Sequence, residues 1–131
     1  MTSFQFKTGE RLKSKKVIDS LFKEGQSFGQ YPLRIVWMAS DQLKSDFLAQ
    51  FALSVPKRKF PKAVHRNRIR RQVREAYRLN KHKLYRGLEK HEQQYAIMVL
   101  YVAKEALPYA TIENAMKGII HRFLKKIKSD S

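Results

Sequence analysis

Cysteine is absent from this sequence, and its absence excludes disulfide bonds, thiolate zinc sites, iron–sulfur clusters and cysteine nucleophiles together. That composition is typical of a reducing compartment. Long apolar runs are also missing. The longest, residues 95–103, is far shorter than the roughly 20 residues of a membrane helix, and the first residues lack the apolar core of a signal peptide. We therefore predict a cytoplasmic protein that does not enter a membrane.

Glycine and proline are scarce as well, with five and four copies in 131 residues. No repeat, low-complexity segment or flexible linker is visible, and the length suits one domain of roughly 100–200 residues. We predict a single domain over residues 1–131, frayed at 1–10 and 128–131, that is a monomer without its partners.

Positive charge is what the sequence has in excess. Twenty-eight Lys and Arg against eleven Asp and Glu give a formal net charge of +17. Residues 57–90 hold fourteen basic residues and two acidic ones, so twelve of the seventeen net charges lie in about a quarter of the chain. This concentration predicts a polyanionic partner that contacts this part of the protein.

Hydrophobic periodicity predicts the elements of the N-terminal half. A short amphipathic helix follows Ser14, which can cap it, and stops at Gly25. Residues 31–39 and 46–55 are rich in aromatic and β-branched side chains on either side of a polar connection, so they are expected to pair as a hairpin. A basic loop between Pro56 and Pro61 is expected to be extended.

The C-terminal half begins with a helix from about Ala63 to Asn80 or slightly beyond, whose apolar positions recur at helical spacing. A separate short helical piece, broken at Gly87, is possible after it. Residues 95–104 form a strand whose continuous hydrophobicity indicates burial on both faces, and a long amphipathic helix follows Pro108. The predicted fold is therefore α+β, a mixed α/β sandwich of one sheet against helices.

Six arginines lie within residues 64–78. At 100° per residue, the side opposite the buried Ile69 carries a stripe of four polar side chains, with Arg68 and Arg70 flanking it. The stripe consists of Asn67, Arg71, Arg74 and Arg78. Like charges at this spacing oppose helix formation by a few tenths of a kcal/mol per pair, and an arginine fork grips phosphate and stacks on bases better than lysine. The stripe therefore favours an RNA or DNA partner over a merely solvated face.

Residues 54–78, SVPKRKFPKAVHRNRIRRQVREAYR, resemble the signature of the protein subunit of bacterial ribonuclease P. The matching parts are Ser54-Val55, Lys57-Arg58, Ala63-Val64, the run Arg66 to Arg71, and Arg74-Glu75-Ala76-Tyr77. Residues 11–25 are similar to the first helix of that family. The resemblance implies the order α-β-β-β-α-β-α, like ribosomal protein S5 domain 2, with a left-handed β-α-β crossover. It requires a further strand near residues 27–31.

The resemblance also implies a function. Such a protein binds ribonuclease P RNA, and that RNA, with Mg²⁺, removes the 5′ leader of precursor tRNA; the protein itself holds no cofactor. The residues implied to contact the RNA subunit are Arg66, Asn67, Arg68, Arg70, Arg71, Arg74 and Arg78. Those implied or considered for the leader are Ile18, Phe22, Trp37, Lys57 and Arg58. Aromatic side chains suit a leader because any base can stack on them.

No catalytic motif of the protein's own is apparent. Its acidic residues share no spacing suited to a two-metal site, and its four histidines form no i+3 or i+4 metal-binding pair. Two alternatives compete with the ribonuclease P interpretation. One is a ribosomal or other structural RNA-binding protein, and the other is a helix-turn-helix DNA-binding protein that reads DNA with residues 64–80.

Overall fold

The computed structural model describes residues 6–41, 43, 46–91 and 93–129. They fold into three helices against one four-stranded sheet, so the predicted α+β class is confirmed. In chain order the elements are a 3₁₀ turn at Thr8–Glu10, α1 at Lys15–Glu24, β1 at Gln26–Gln30, β2 at Leu33–Ala39, β3 at Ala49–Ser54, α2 at Ala63–Leu88, β4 at Tyr95–Tyr101 and α3 at Tyr109–Ser129. The strand near residues 27–31 that the resemblance required is β1.

The order of strands in the sheet is β1-β2-β4-β3. β1 and β2 form an antiparallel hairpin through the turn at Tyr31–Pro32, β2 pairs antiparallel with β4, and β3 pairs parallel with β4. The prediction that residues 31–39 and 46–55 form a hairpin is therefore wrong. The physical reason is burial: β4 is apolar on both faces and takes the central position, which leaves β3 on its far side. Residues 42, 44 and 45 of the connection lie outside the described residues.

The two faces of the sheet bury different helices. α1 packs on one face, where Val17 and Leu21 join a small cluster with Val36 and Met98. α2 and α3 cover the other face and enclose the larger core with the alternate strand residues. α1 begins as predicted, because the Ser14 side chain accepts a hydrogen bond from the Val17 N–H at 3.3 Å.

Gly25 lies where α1 meets β2. A Cβ built there would approach the Leu21 carbonyl oxygen to 2.4 Å and Val36 Cγ1 to 2.9 Å, so only glycine allows this contact. The chain can therefore pass directly from α1 into β1.

α2 is one continuous helix of 26 residues, so the helix is longer than predicted and is not broken at Gly87. Gly87 instead serves helix packing, since a Cβ at this position would lie 2.5 Å from Leu124 Cδ2 of α3. Gly87 indicated a helix break when judged from the sequence alone, but in the structure it allows the close approach of α2 and α3.

The N-terminal segment, residues 6–13, is fastened to the core, so residues 6–10 do not show the fraying predicted for residues 1–10. The Phe6 ring packs edge-on against Phe51 and Tyr77, at centroid distances of 5.9 and 5.7 Å. The Leu12 N–H donates to the Phe51 carbonyl at 2.9 Å, and Glu10 is buried. At the other end α3 continues to Ser129; residues 1–5 and 130–131 of the predicted frayed ends lie outside the described residues.

Candidate nucleic-acid interface

α2 buries one stripe and exposes another, as the helical projection predicts. Ile69, Val73, Ala76 and Tyr77 are each at most 1% exposed and fix the helix to the core. The opposite side exposes a cluster that we call the arginine face: Asn67, Arg68, Arg70, Arg71 and Arg74. Asn67 is the fifth residue of the helix and is not its cap, so its amide is presented among the guanidinium groups.

Two further arginines of the predicted RNA contact have partners within the chain. Arg66 Nη1 donates to the carbonyls of Phe60 and Pro61, both at 2.8 Å, and so ties the preceding loop to the helix. Arg78 grips both carboxylate oxygens of Glu75, at 2.6 and 3.1 Å. The hydrogen bond from Arg78 lowers the pKa of Glu75 below its usual value, which keeps this carboxylate charged.

The arginine face continues into a cleft that sequence reasoning did not predict. Arg70 and Arg74 line it from α2, while Arg11 and Lys13 line it from the N-terminal segment. Phe6 and residues 51–53 of β3 complete its wall, and its volume is about 190 Å³. We call this site the basic cleft, after the four cations that line it: Arg11, Lys13, Arg70 and Arg74. The signal in the sequence was the pair of basic residues just before Ser14, but nothing local placed them beside α2.

A buried ion pair holds the N-terminal side of the basic cleft in place. Lys81 Nζ donates to both carboxylate oxygens of Glu10 at 2.8 Å, and the Tyr85 hydroxyl donates to Oε2 at 2.5 Å. Burial alone would raise the pKa of Glu10, but the hydrogen bonds from Lys81, Tyr85 and the Lys7 N–H outweigh it and lower that pKa. Since Arg11 follows Glu10 directly, this pair also fixes where the Arg11 backbone enters the cleft.

α1 offers the other predicted RNA contact. Phe22 is 56% exposed, an unusual position for a large aromatic ring, whereas Ile18 is half-buried against the cluster beneath α1. Ala52 of β3 and Leu100 of β4 belong to the same half-buried set. The Phe22 ring is therefore accessible on α1, the helix that covers a partly open apolar surface of the sheet.

Trp37 does not belong to this surface, and its prediction as a leader contact is wrong. It is 2% exposed, and its ring packs edge-on against Phe28 at 5.6 Å and Phe123 at 5.4 Å. The alternation of side chains along β2 directs it into the core beneath α3, on the face of the sheet away from α1. A base has no access to this ring.

Lys57 and Arg58 are exposed in the loop between β3 and α2. This loop is a turn rather than the extended segment predicted, because the Phe60 N–H donates back to the Pro56 carbonyl at 3.2 Å. Phe60 is buried against Tyr101, with ring centroids 5.8 Å apart, and Lys59 Nζ donates to the Val102 carbonyl at 2.9 Å. The turn is thus anchored at the end of β4, with Lys57 and Arg58 pointing their charge at solvent.

Among residues 6–41, 43, 46–91 and 93–129, no group of three or more His, Asp or Glu is arranged to hold a metal ion. Within the same part of the chain, no helix combines the length and the apolar character needed to cross a membrane.

Comparison with known proteins identifies relatives along almost the whole chain. The sequence model of the family described as Ribonuclease P matches residues 6–124. The chain is 37% identical over 130 residues to the ribonuclease P protein component of Porphyromonas gingivalis, covering 98% of this chain and 93% of that protein. It is 30% identical to the ribonuclease P protein component of Chlorobaculum tepidum, over 92% of this chain and 86% of that one. Among solved structures, the RNase P protein from Thermotoga maritima has the same fold, with a TM-score of 0.67 at 23% identity, covering 86% of this chain and 96% of that one.

Proposed function

This chain belongs to the ribonuclease P protein family, and from that membership we propose that its arginine face binds the RNA subunit of the enzyme. The protein is thus a subunit of a ribonucleoprotein endoribonuclease that acts in tRNA processing. The finer proposal concerns which surface meets which RNA. We assign Arg66, Asn67, Arg68, Arg70, Arg71, Arg74 and Arg78 to the RNA subunit.

The observation that carries this assignment is the composition of the arginine face. Four guanidinium groups and one amide are exposed along the first three turns of α2, while the nearby carboxylate of Glu75 is occupied by Arg78. A face of one sign is mildly unfavourable for an isolated helix and becomes favourable once phosphates cover it. Arg66 and Arg78 have internal partners, so we expect them to contribute less than Arg71 and Arg74.

We further propose that α1 guides the single-stranded leader of precursor tRNA. The exposed ring of Phe22 supports this, since base stacking on an aromatic side chain requires no particular sequence. Ile18 would form an apolar edge of the same groove, and Lys57 and Arg58 would attract the leader phosphates. The proposal leaves catalysis, and the Mg²⁺ it uses, with the RNA subunit, as the resemblance implies.

The alternatives lose support for specific reasons. A helix-turn-helix reader needs a helix and a tight turn before its recognition helix, whereas β3 and an anchored turn precede α2. Membership in the ribonuclease P protein family argues against a ribosomal protein, although both kinds of protein bind RNA.

Reconstitution tests the proposal. The purified chain is mixed with a bacterial ribonuclease P RNA, and 5′ processing of precursor tRNA is followed at low magnesium concentration. We expect the protein to increase both cleavage and substrate affinity. Unchanged cleavage and affinity, with the protein folded by circular dichroism, would contradict the proposed function.

A further inference from the structure

A second concentration of positive charge lies outside the arginine face and the basic cleft. It borders a groove of about 180 Å³ between the C-terminal half of α2 and α3, which is lined in part by Lys83, Lys117 and His121. Lys125 and Lys128 continue the same side of α3. All five side chains are exposed, and we call them the lysine face.

The groove is a fixed feature of helix packing. Asn80 Nδ2 of α2 lies 3.5 Å from Glu113 Oε2 of α3, and Gly87 further along α2 meets Leu124 further along α3. The two helices therefore run in the same direction, side by side. Lys83 and Lys117 line one groove between these contacts, so their charges are held near each other by buried neighbours.

The lysine face consists of four lysines and His121, and its acidic neighbour on α3 is Glu113, one turn before Lys117. On α3 the positions of Lys117, His121, Lys125 and Lys128 fall within about 80° of each other at 100° per residue. The carboxylate of Glu113 is already occupied. Oε2 accepts from Tyr109 at 3.3 Å and from Asn80, while Oε1 lies 3.9 Å from Lys117 Nζ. An approaching anion would therefore meet cations and no competing free carboxylate from this residue.

The lysine face is separate from the arginine face. On α2, Lys83 lies about 150° around the helix axis from the mean direction of the five residues of the arginine face. The two faces thus point to opposite sides of α2. Their chemistry differs too: a lysine ammonium is a point charge that suits the phosphate backbone, whereas an arginine fork also stacks on bases.

We propose that the lysine face binds the phosphate backbone of a second segment of the RNA subunit, distinct from the segment that the arginine face meets and from the leader at α1. This goes beyond the proposed contact of the arginine face with the RNA subunit. RNA is the partner favoured here, because a protein already held on a folded RNA has further RNA backbone within reach of its other sides.

Site-directed cleavage of the RNA tests this proposal, and the absence of native cysteine makes the experiment practicable. An iron chelate is attached to Asn114→Cys, beside the lysine face, or to Val64→Cys, which is 67% exposed on the arginine-bearing side of α2. Each conjugate is bound to ribonuclease P RNA, and hydroxyl-radical cuts are mapped. We expect the two positions to cut different RNA segments. No cutting from position 114, or cutting only of the nucleotides reached from position 64, would overturn the proposal.

Salt dependence gives an independent test with a matched control. The variant Lys83→Gln/Lys117→Gln/Lys125→Gln should reduce the slope of log affinity against log salt by about 2 to 3, since each phosphate contact contributes roughly 0.7–0.9. The control Lys16→Gln/Lys23→Gln/Lys104→Gln removes three exposed charges elsewhere. Equal slopes for the two variants would overturn the proposal that the lysine face binds RNA. Because the arginine face is intact in both, that result would leave the proposed function standing.

Discussion

Lys81 Nζ lies 2.8 Å from each carboxylate oxygen of Glu10, although the two residues are 71 positions apart in the chain and their side chains are 3% and 1% exposed. This pair joins the N-terminal segment to the C-terminal half of α2. It therefore links the Arg11 and Lys13 side of the basic cleft to the helix that supplies Arg70 and Arg74.

Breaking one half of the pair should be costly. Lys81→Met leaves a buried carboxylate without its cation, so we expect the free energy of unfolding to fall by about 3–5 kcal/mol, measured by urea denaturation. The variant Glu10→Leu/Lys81→Met/Tyr85→Phe removes both charges together with the Tyr85 hydroxyl and should recover most of that loss. If it is no more stable than Lys81→Met, the loss does not come from the unpaired charge.

Acid should weaken the ion pair between Glu10 and Lys81. The pKa of Glu10 lies below its ordinary value of 4.5 in the folded protein, because hydrogen bonds from Lys81 and Tyr85 outweigh the effect of burial. Its stabilising contribution is therefore complete above the unfolded pKa and is lost as the pH falls through the folded pKa. Unfolding free energies measured from neutral pH to below 4.5 should decrease more steeply for the wild-type chain than for the apolar triple variant. Parallel curves would exclude Glu10 as the titrating group.

Removing two members of the arginine face should change RNA binding in a measurable way. Arg71→Ala/Arg74→Ala should weaken binding to ribonuclease P RNA and reduce the salt slope by about 1.4–1.8, since two phosphate contacts are lost. Lys23→Ala/Lys104→Ala removes the same number of exposed charges and should have a smaller effect. Binding titrations at several salt concentrations check both, and an unchanged slope would rule out Arg71 and Arg74 as phosphate contacts.

The exposed ring of Phe22 should matter for substrates that carry a leader. Phe22→Ala should reduce affinity for precursor tRNA by about 1–3 kcal/mol, the value of one base stack, while leaving leaderless tRNA and the RNA subunit unaffected. Phe22→Tyr retains an aromatic ring and should restore the preference. Equal losses for both tRNAs would instead indicate damage to the fold, although the exposure of Phe22 argues against such damage.

The contact of α1 with β2 should tolerate no added methyl group. In Gly25→Ala the new Cβ would lie 2.4 Å from the Leu21 carbonyl oxygen, so we expect a loss of about 1–3 kcal/mol in stability. Gly29→Ala is the matched control, because its Cβ would meet only Arg34 Nη1, at 3.4 Å. Thermal unfolding of the two variants checks the difference, and similar melting temperatures would show that α1 can shift without cost.

Local patterns predicted the elements well, because periodicity is a property of neighbouring residues. The buried stripe of α2 and the cap at Ser14 both follow from spacing of three or four positions. Strand pairing does not follow from local spacing, since β3 pairs with β4, which lies beyond the whole of α2 in the sequence. The hairpin prediction failed for this reason.

The site residues also divide into those that local spacing predicts and those that it does not. The exposed arginines were predictable because Ile69 and Val73 fix which side of α2 is buried. The burial of Trp37 was not predictable, because residue type alone does not say which face of β2 a side chain takes. The register of the strand decides that. Glu10 and Lys81 were missed because a buried ion pair between distant positions leaves no local signal.

The placement of β4 between β2 and β3 has a consequence for synthesis of the protein. β4 is the last strand to leave the ribosome, yet both β2 and β3 need it as a neighbour. Until it emerges, one edge of the β1–β2 hairpin stays open and β3 has no strand to join, so the arginine-bearing helix is made before the surface that supports it. Folding therefore depends on contacts between distant positions, which are slow to form, and nascent chains are expected to meet chaperones or RNA with their sheet still incomplete.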